Sequence, residues 1–242
     1  MLAHCAPVGP IGRPRQSNRR KDNAMTATDT ITLYHSPQTR SAGALTLLEE
    51  LGAPYELHLL NMKAGEQRQA PYLAVNPLGK VPAIVHRGAL VTEQVAIFLY
   101  LADLFPGAGL APAIGDPLRG PYLRWMVFYA ACYEPGLIDR AVQREPAPLA
   151  MSPYGDFDLV MGAVISQLAV APYLLGERIS AADILWGMAL NWGTMFGMLP
   201  ENPVIADYVA RITARPSFTR VAERDASLAA EHEAALVKEV AE

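Results

Sequence analysis

Cysteine is scarce in this chain: Cys5 and Cys132 are the only two among 242 residues. Two thiols build neither a disulfide framework nor a metal cluster, so the composition points to a reducing compartment such as the cytoplasm. His35, His58 and His86 stand at no metal-ligand spacing, and the sequence implies no metal. Charge is sparse as well, at 18% of residues against 51% hydrophobic, which excludes a disordered chain and leaves room for one large or two ordinary domains. Positive charge is missing where a nucleic-acid binder needs it. The formal net charge is −4 although Arg13, Arg15, Arg19, Arg20 and Lys21 are crowded into the first 29 residues, so the remainder is more acidic than the whole and offers no phosphate-neutralising stripe.

Internal repeats, low-complexity tracts and a secretory-length apolar segment near the start are also lacking. Residues 1–29 mix Pro, Gly and basic side chains without periodicity, which predicts a disordered extension, and Met25 is a candidate translation start. Two uncharged stretches, 159–176 and 184–200, approach the length of a membrane span. The first contains Ser166, Gln167 and Pro172 and the second Asn191 and several Gly or Thr positions, so both read as buried core helices and no membrane partner is expected.

What is present has an order. Thr30 to His35 is a β-branched and aromatic strand, and Ala42, Leu45, Leu48 and Leu51 then recur at helical spacing until Gly52. Pro54 to Leu60 is a second strand, Glu66 to Ala74 a short polar helix, and Val85 to Val91 a hairpin around Arg87-Gly88. An apolar helix from Glu93 to Phe105 closes the unit β-α-β-α-β-β-α, spanning 30–107. Three prolines and three glycines between Pro106 and Pro117 mark a linker, placed at 108–116, and 117–242 reads as all helical, with Pro135-Gly136 kinking or ending its first helix. Ser180 and Asp183 form a capping box with Ile179 and Ile184 as its hydrophobic staple, a folding element.

The centre of the pattern is Asn76-Pro77-Leu78-Gly79-Lys80-Val81-Pro82. A proline at a strand mouth cannot continue the ladder, and Val81-Pro82 is a cis candidate whose Val81 N–H and C=O would be free to pair with a short extended ligand. Upstream, Tyr34-His35-Ser36-Pro37 and Arg40 lie where the first strand hands over to the first helix. Free N–H groups and the positive helix end are expected there to favour an anion such as a thiolate; by spacing alone, Ser36 or Thr39 would merely cap the helix. Downstream, Thr92-Glu93-Gln94 opens the third helix.

Taken together, from about Thr30 to Arg215-Pro216-Ser217-Phe218, these motifs resemble the glutathione S-transferase superfamily, its bacterial-type cytosolic members in particular. The resemblance implies an α/β thioredoxin-like N-terminal domain followed by an all-α helical-bundle C-terminal domain, a homodimer, glutathione as co-substrate, and transfer of its thiolate to small apolar electrophiles. It implies a sulfur contact by Ser36, with Thr39 and Ser41 as rivals and Arg40 as an electrostatic helper; where cysteine-type classes carry their Cys, this chain has Arg40. Lys80, Val81, Pro82, Glu93 and Gln94 would hold glutathione, Gln94 standing where the family usually has Ser. Tyr122, Trp125, Phe128 and Tyr129, which recur on one helix face and by spacing alone read as core, would line the electrophile pocket. The same fold also serves glutathione-dependent isomerases, dehalogenases, peroxidases and disulfide reductases, and non-catalytic binding modules.

Overall fold

The computed structural model describes residues 29–145 and 147–241, with side chains to residue 237. The expected extension and the Met25 start lie outside these residues, except that Asp29 is described and is paired with Arg87.

Strands β1 (Ile31–His35), β2 (Tyr55–Leu59), β3 (Ala83–His86) and β4 (Ala89–Val91) form one mixed sheet in the order β2-β1-β3-β4. β1 runs parallel to β2 and antiparallel to β3, and β3 to β4 is the expected hairpin. Its turn residues Arg87 and Gly88 have φ of 51° and 78°, the paired left-handed conformations that let a two-residue turn follow the strand twist. Alternation in β1 sends Ile31, Leu33 and His35 into the core and leaves Thr32 and Tyr34 half-buried. Tyr34 packs against His58 and Tyr72, 4.7 and 5.4 Å between ring centres.

Helices α1 (Ser41–Leu51), α2 (Ala70–Leu73) and α3 (Gln94–Leu104) complete the thioredoxin-like layer. The polar helix expected over 66–74 is broken: a 3-10 turn covers Glu66–Arg68, Gln69 is extended, and α2 begins afresh. Pro71 is the reason, since it has no N–H to continue a ladder and is tolerated in a first turn.

The helical part comprises α4 (Arg119–Phe128), α5 (Glu134–Ala141), α6 (Phe157–Val170), α7 (Ala181–Met195), α8 (Pro203–Thr213) and α9 (Pro216–Ala241). Pro135-Gly136 neither ends nor splits the first of these. A π turn over Tyr129–Tyr133 joins α4 to α5, and widening the ladder there accommodates the N–H that Pro135 lacks. The two uncharged stretches become α6 and α7, and among the described residues no helix is long and apolar enough to cross a membrane. Fully buried Trp186 on α7 is the hub of the helical core, its indole N–H donating to Trp125 O at 2.9 Å. Arg215, just before α9, grips Glu50 at the end of α1 through two hydrogen bonds of 2.8 and 2.6 Å, tying the start of the last helix to the sheet layer.

Candidate functional site

The turn between β1 and α1 is held by its own hydroxyls. Ser41 Oγ accepts from Ser36 N at 3.1 Å and donates to Ser36 O at 3.0 Å. Thr39 Oγ1 reaches Ser36 O and Ser41 Oγ, both at 2.7 Å, and accepts from Ser41 N. Ala42 N and Gly43 N bond Thr39 O and Arg40 O. The open N–H groups expected at this helix start are therefore largely consumed within the turn, because two side-chain hydroxyls and two local carbonyls reach them. Ser41 is fully buried and its hydroxyl is engaged; the Ser36 hydroxyl stands outside the network, with no hydrogen bond to any described residue.

Facing this turn is the Val81-Pro82 peptide, which is cis. Tyr34 is in register with Ala83, so the residues following Tyr34 lie across from Pro82, and the pairing of Ile84 with Val91 brings Glu93 to the same end of the sheet. Neither the N–H nor the C=O of Val81 is used by another described residue. The approach to it is tightly built. Asn76 Oδ1 accepts from Leu78 N at 3.1 Å, while Asn76 Nδ2 and the Tyr72 hydroxyl donate to Lys80 O at 2.9 and 2.6 Å. Burial pushes the Tyr72 phenol up to about 12, so it remains a donor across the physiological range. Gly79 has φ of 58° and a Cβ there would stand 2.6 Å from Gln67 O, which excludes a side chain at this point of the turn. The Lys80 side chain is exposed beside it.

Glu93 is exposed at φ of 66°, ψ of 116°, a strained conformation for a residue with a Cβ, and α3 starts one residue later than expected. Gln94 explains its own length. Its Nε2 donates to Arg40 O at 3.1 Å, and its Oε1 is the more distant of two acceptors near the Tyr129 hydroxyl, at 3.4 Å against 3.1 Å for Glu134 Oε1. Arg40 in turn pairs with Glu134. The four side chains form a bridge from α1 and α3 to the π turn and α5, so Arg40 is committed to an interdomain ion pair. Burial, then the charge of Glu134, lifts the Tyr129 phenol well above its ordinary range, so it keeps its proton and can donate.

The profile described as Glutathione S-transferase, N-terminal domain, matches residues 29–103. Glutathione S-transferase F10 of Arabidopsis thaliana is 30% identical over 166 residues, 64% of this chain and 76% of that protein. The chain belongs to the glutathione S-transferase family. Among solved structures, a glutathione transferase from Methylococcus capsulatus is 30% identical with a TM-score of 0.69, covering 81% of this chain and 98% of that one. A glutathione transferase homologue from Sulfitobacter, solved with bound glutathione, is 28% identical with a TM-score of 0.66, covering 81% of this chain and 98% of its own.

Two cavities open beside the β1–α1 turn of this family member. The smaller, about 200 Å³, lies between Arg40, Gln94, Tyr129 and the walls of α5 and α7. The larger, about 600 Å³, lies between the turn, α7 and α9, and its walls are mainly apolar, with Trp192, Phe196, Phe218 and Met188 among them. Of the four aromatic residues assigned to the pocket wall, Tyr129 lines the smaller cavity and Tyr122, Trp125 and Phe128 line neither. These three pack inward because α4 faces α7: Trp125 stands edge-on to Trp186 at 5.8 Å and Phe128 stacks on it at 6.2 Å.

Sequence reasoning gave His35 no role, yet it is fully buried, with Nδ1 2.8 Å from Ser41 Oγ and Nε2 3.0 Å from Asp225 Oδ1. A usable signal existed. The strand alternation puts His35 on the inward face with Ile31 and Leu33, where an imidazole needs polar partners. Nothing local marked Asp225, which lies far along the chain on α9.

Proposed function

We propose that this protein is a glutathione transferase in which Ser36 steadies the glutathione thiolate. The observation that carries the reading is a pair of unused groups facing each other across the sheet end: the Val81 backbone, with both hydrogen-bonding groups free, and the Ser36 hydroxyl, with no internal partner. An extended tripeptide adds to Val81 as a short strand, its γ-glutamyl end meets Glu93 and the start of α3, and its glycyl carboxylate meets Lys80. The glutathione-bound Sulfitobacter homologue supports the same ligand here. The larger cavity, at about 600 Å³, is in the size range of small-molecule sites and takes the apolar electrophile; the smaller, at about 200 Å³, is below it. Catalysis is thiol activation and positioning against that wall. A homodimer belongs to the same reading, with exposed Leu90, Leu123 and Val127 as apolar surface for a second copy.

Titrating the thiolate absorbance of bound glutathione tests the assignment. Ser36→Ala removes one hydrogen bond to the charged form, worth about 1.5 to 3 kcal/mol, so the bound thiol should ionise roughly one to two pH units higher. Glutathione should still bind. An unshifted titration in Ser36→Ala, with a shift in Thr39→Ala, would move the role to Thr39.

A further inference from the structure

His35 and Asp225 form a buried polar pair to which the reaction as proposed gives no task. His35 is fully buried and Asp225 is 7% exposed. The Nε2 to Oδ1 distance is 3.0 Å, ion-pair range, although the two are not aligned as a full hydrogen bond. The other oxygen, Oδ2, accepts from Gln38 N at 2.9 Å. Gln38 is the residue of the β1–α1 turn held at φ of 57°. Each oxygen of one carboxylate thus reaches one part of the turn that carries Ser36. Oδ2 holds Gln38 directly. Oδ1 acts through His35 on Ser41 Oγ, which accepts from Ser36 N and stands within hydrogen-bond reach of Ser36 O.

The proton inventory gives this chain a direction. A neutral imidazole protonated only on Nδ1 would turn its Nε2 lone pair toward a carboxylate oxygen 3.0 Å away. His35 therefore carries a proton on Nε2, toward Asp225; Nδ1 then either takes the one Ser41 hydroxyl proton, leaving Ser36 O to the Thr39 hydroxyl, or, in the imidazolium, donates to Ser41 Oγ and leaves that proton on Ser36 O. Either way the orientation of Ser41 is set from α9. Arg215 to Glu50, just before α9, and Arg220 to Glu49, within it, fasten the same helix to α1 independently of Asp225.

We propose that Asp225 and His35 are positioning residues that clamp the β1–α1 turn from the last helix and so place the Ser36 hydroxyl for the glutathione sulfur. This rests on the role given to Ser36 above. The test is a double-mutant cycle read by the titration of bound glutathione, with glutathione affinity and melting temperature measured alongside. Asp225→Ala should raise the pH at which the bound thiol ionises by about 0.5 to 1 unit, with the glutathione Kd changed less than about twofold; kcat is not the readout, because Asp225 also lines the larger cavity. Asp225→Asn keeps an acceptor for Gln38 N and should give a smaller rise; it carries the test if the alanine variant does not fold. In a Ser36→Ala background neither change should move the titration further, because the group being placed is gone. A role limited to packing would lower the melting temperature and leave the thiol titration alone. An unshifted titration in a folded Asp225 variant, or a shift that adds fully to that of Ser36→Ala, overturns the clamp while leaving the Ser36 reading standing. An unshifted Ser36→Ala overturns both.

Discussion

Asp183, at the start of α7, is where a single atom change has a calculable effect on the fold. Its side chain is fully buried and accepts four hydrogen bonds: Leu174 N at 2.8 Å and Tyr208 OH at 3.0 Å on Oδ1, and Ser180 N at 2.8 Å and Ser180 Oγ at 2.7 Å on Oδ2. Asp183→Ala removes every acceptor. The Ser180 hydroxyl can turn and the Tyr208 hydroxyl keeps Asp183 O at 3.3 Å, so the N–H groups of Leu174 and Ser180 are the ones left buried and unpaired. At about 1 to 3 kcal/mol each, the loss is about 2 to 6 kcal/mol. Burial lifts the Asp183 carboxyl above its ordinary value against all four donors, so ionisation costs the fold something, and removing the charge returns part of the loss. A net destabilisation of about 2 to 4 kcal/mol is expected for alanine. Asparagine keeps one oxygen for Leu174 and Tyr208 and turns its NH2 toward Ser180 N–H, stranding one donor, for about 1 to 2 kcal/mol. Equilibrium urea unfolding followed by tryptophan fluorescence reads both, since Trp125 and Trp186 lie in the same core. An Asp183→Asn variant as stable as the parent would refute the reasoning, showing that desolvation of the carboxylate outweighs the bond it makes to Ser180.

Two further outcomes follow from the packing of the helices. Burial pushes the Glu50 carboxyl up, but Arg215 and Ser217 outweigh it and hold it below its ordinary value. A depressed carboxyl stabilises the fold above its unfolded pKa and loses that contribution as pH falls through the folded one, so the α1 to α9 contact should weaken below about pH 4.5; Glu50→Gln should be less stable at pH 7 and show a flatter acid limb in thermal melts, and a parallel pair of pH curves would count against it. Gly187 lies on α7 where a Cβ would stand 2.6 to 2.8 Å from the Ile212 side chain, including its Cβ. Gly187→Ala should therefore destabilise by about 1 to 3 kcal/mol from overpacking, offset by up to about 1 kcal/mol of helix propensity, and a rise in melting temperature would show that α8 yields easily.

The sequence by itself determined the parts of this protein that depend on neighbours in the chain. The first strand, the Gly52 stop, the Arg87-Gly88 hairpin and the Ser180 to Asp183 box are decided by residues within a few positions of one another, and each formed as read. Where a local rule competed with another local rule, the reading slipped by a residue or a turn, as at Pro71 and Glu93. Tertiary structure decided what depends on distant partners. The direction of the aromatic face of α4 was set by Trp186 on α7, the task of Gln94 by Arg40 and Tyr129, and the surroundings of His35 by Asp225, 190 residues further along the chain. The physical reason is that side-chain periodicity says which face of an element is buried and nothing about what buries it; the partner is selected only when helices from the second half of the chain close over the first.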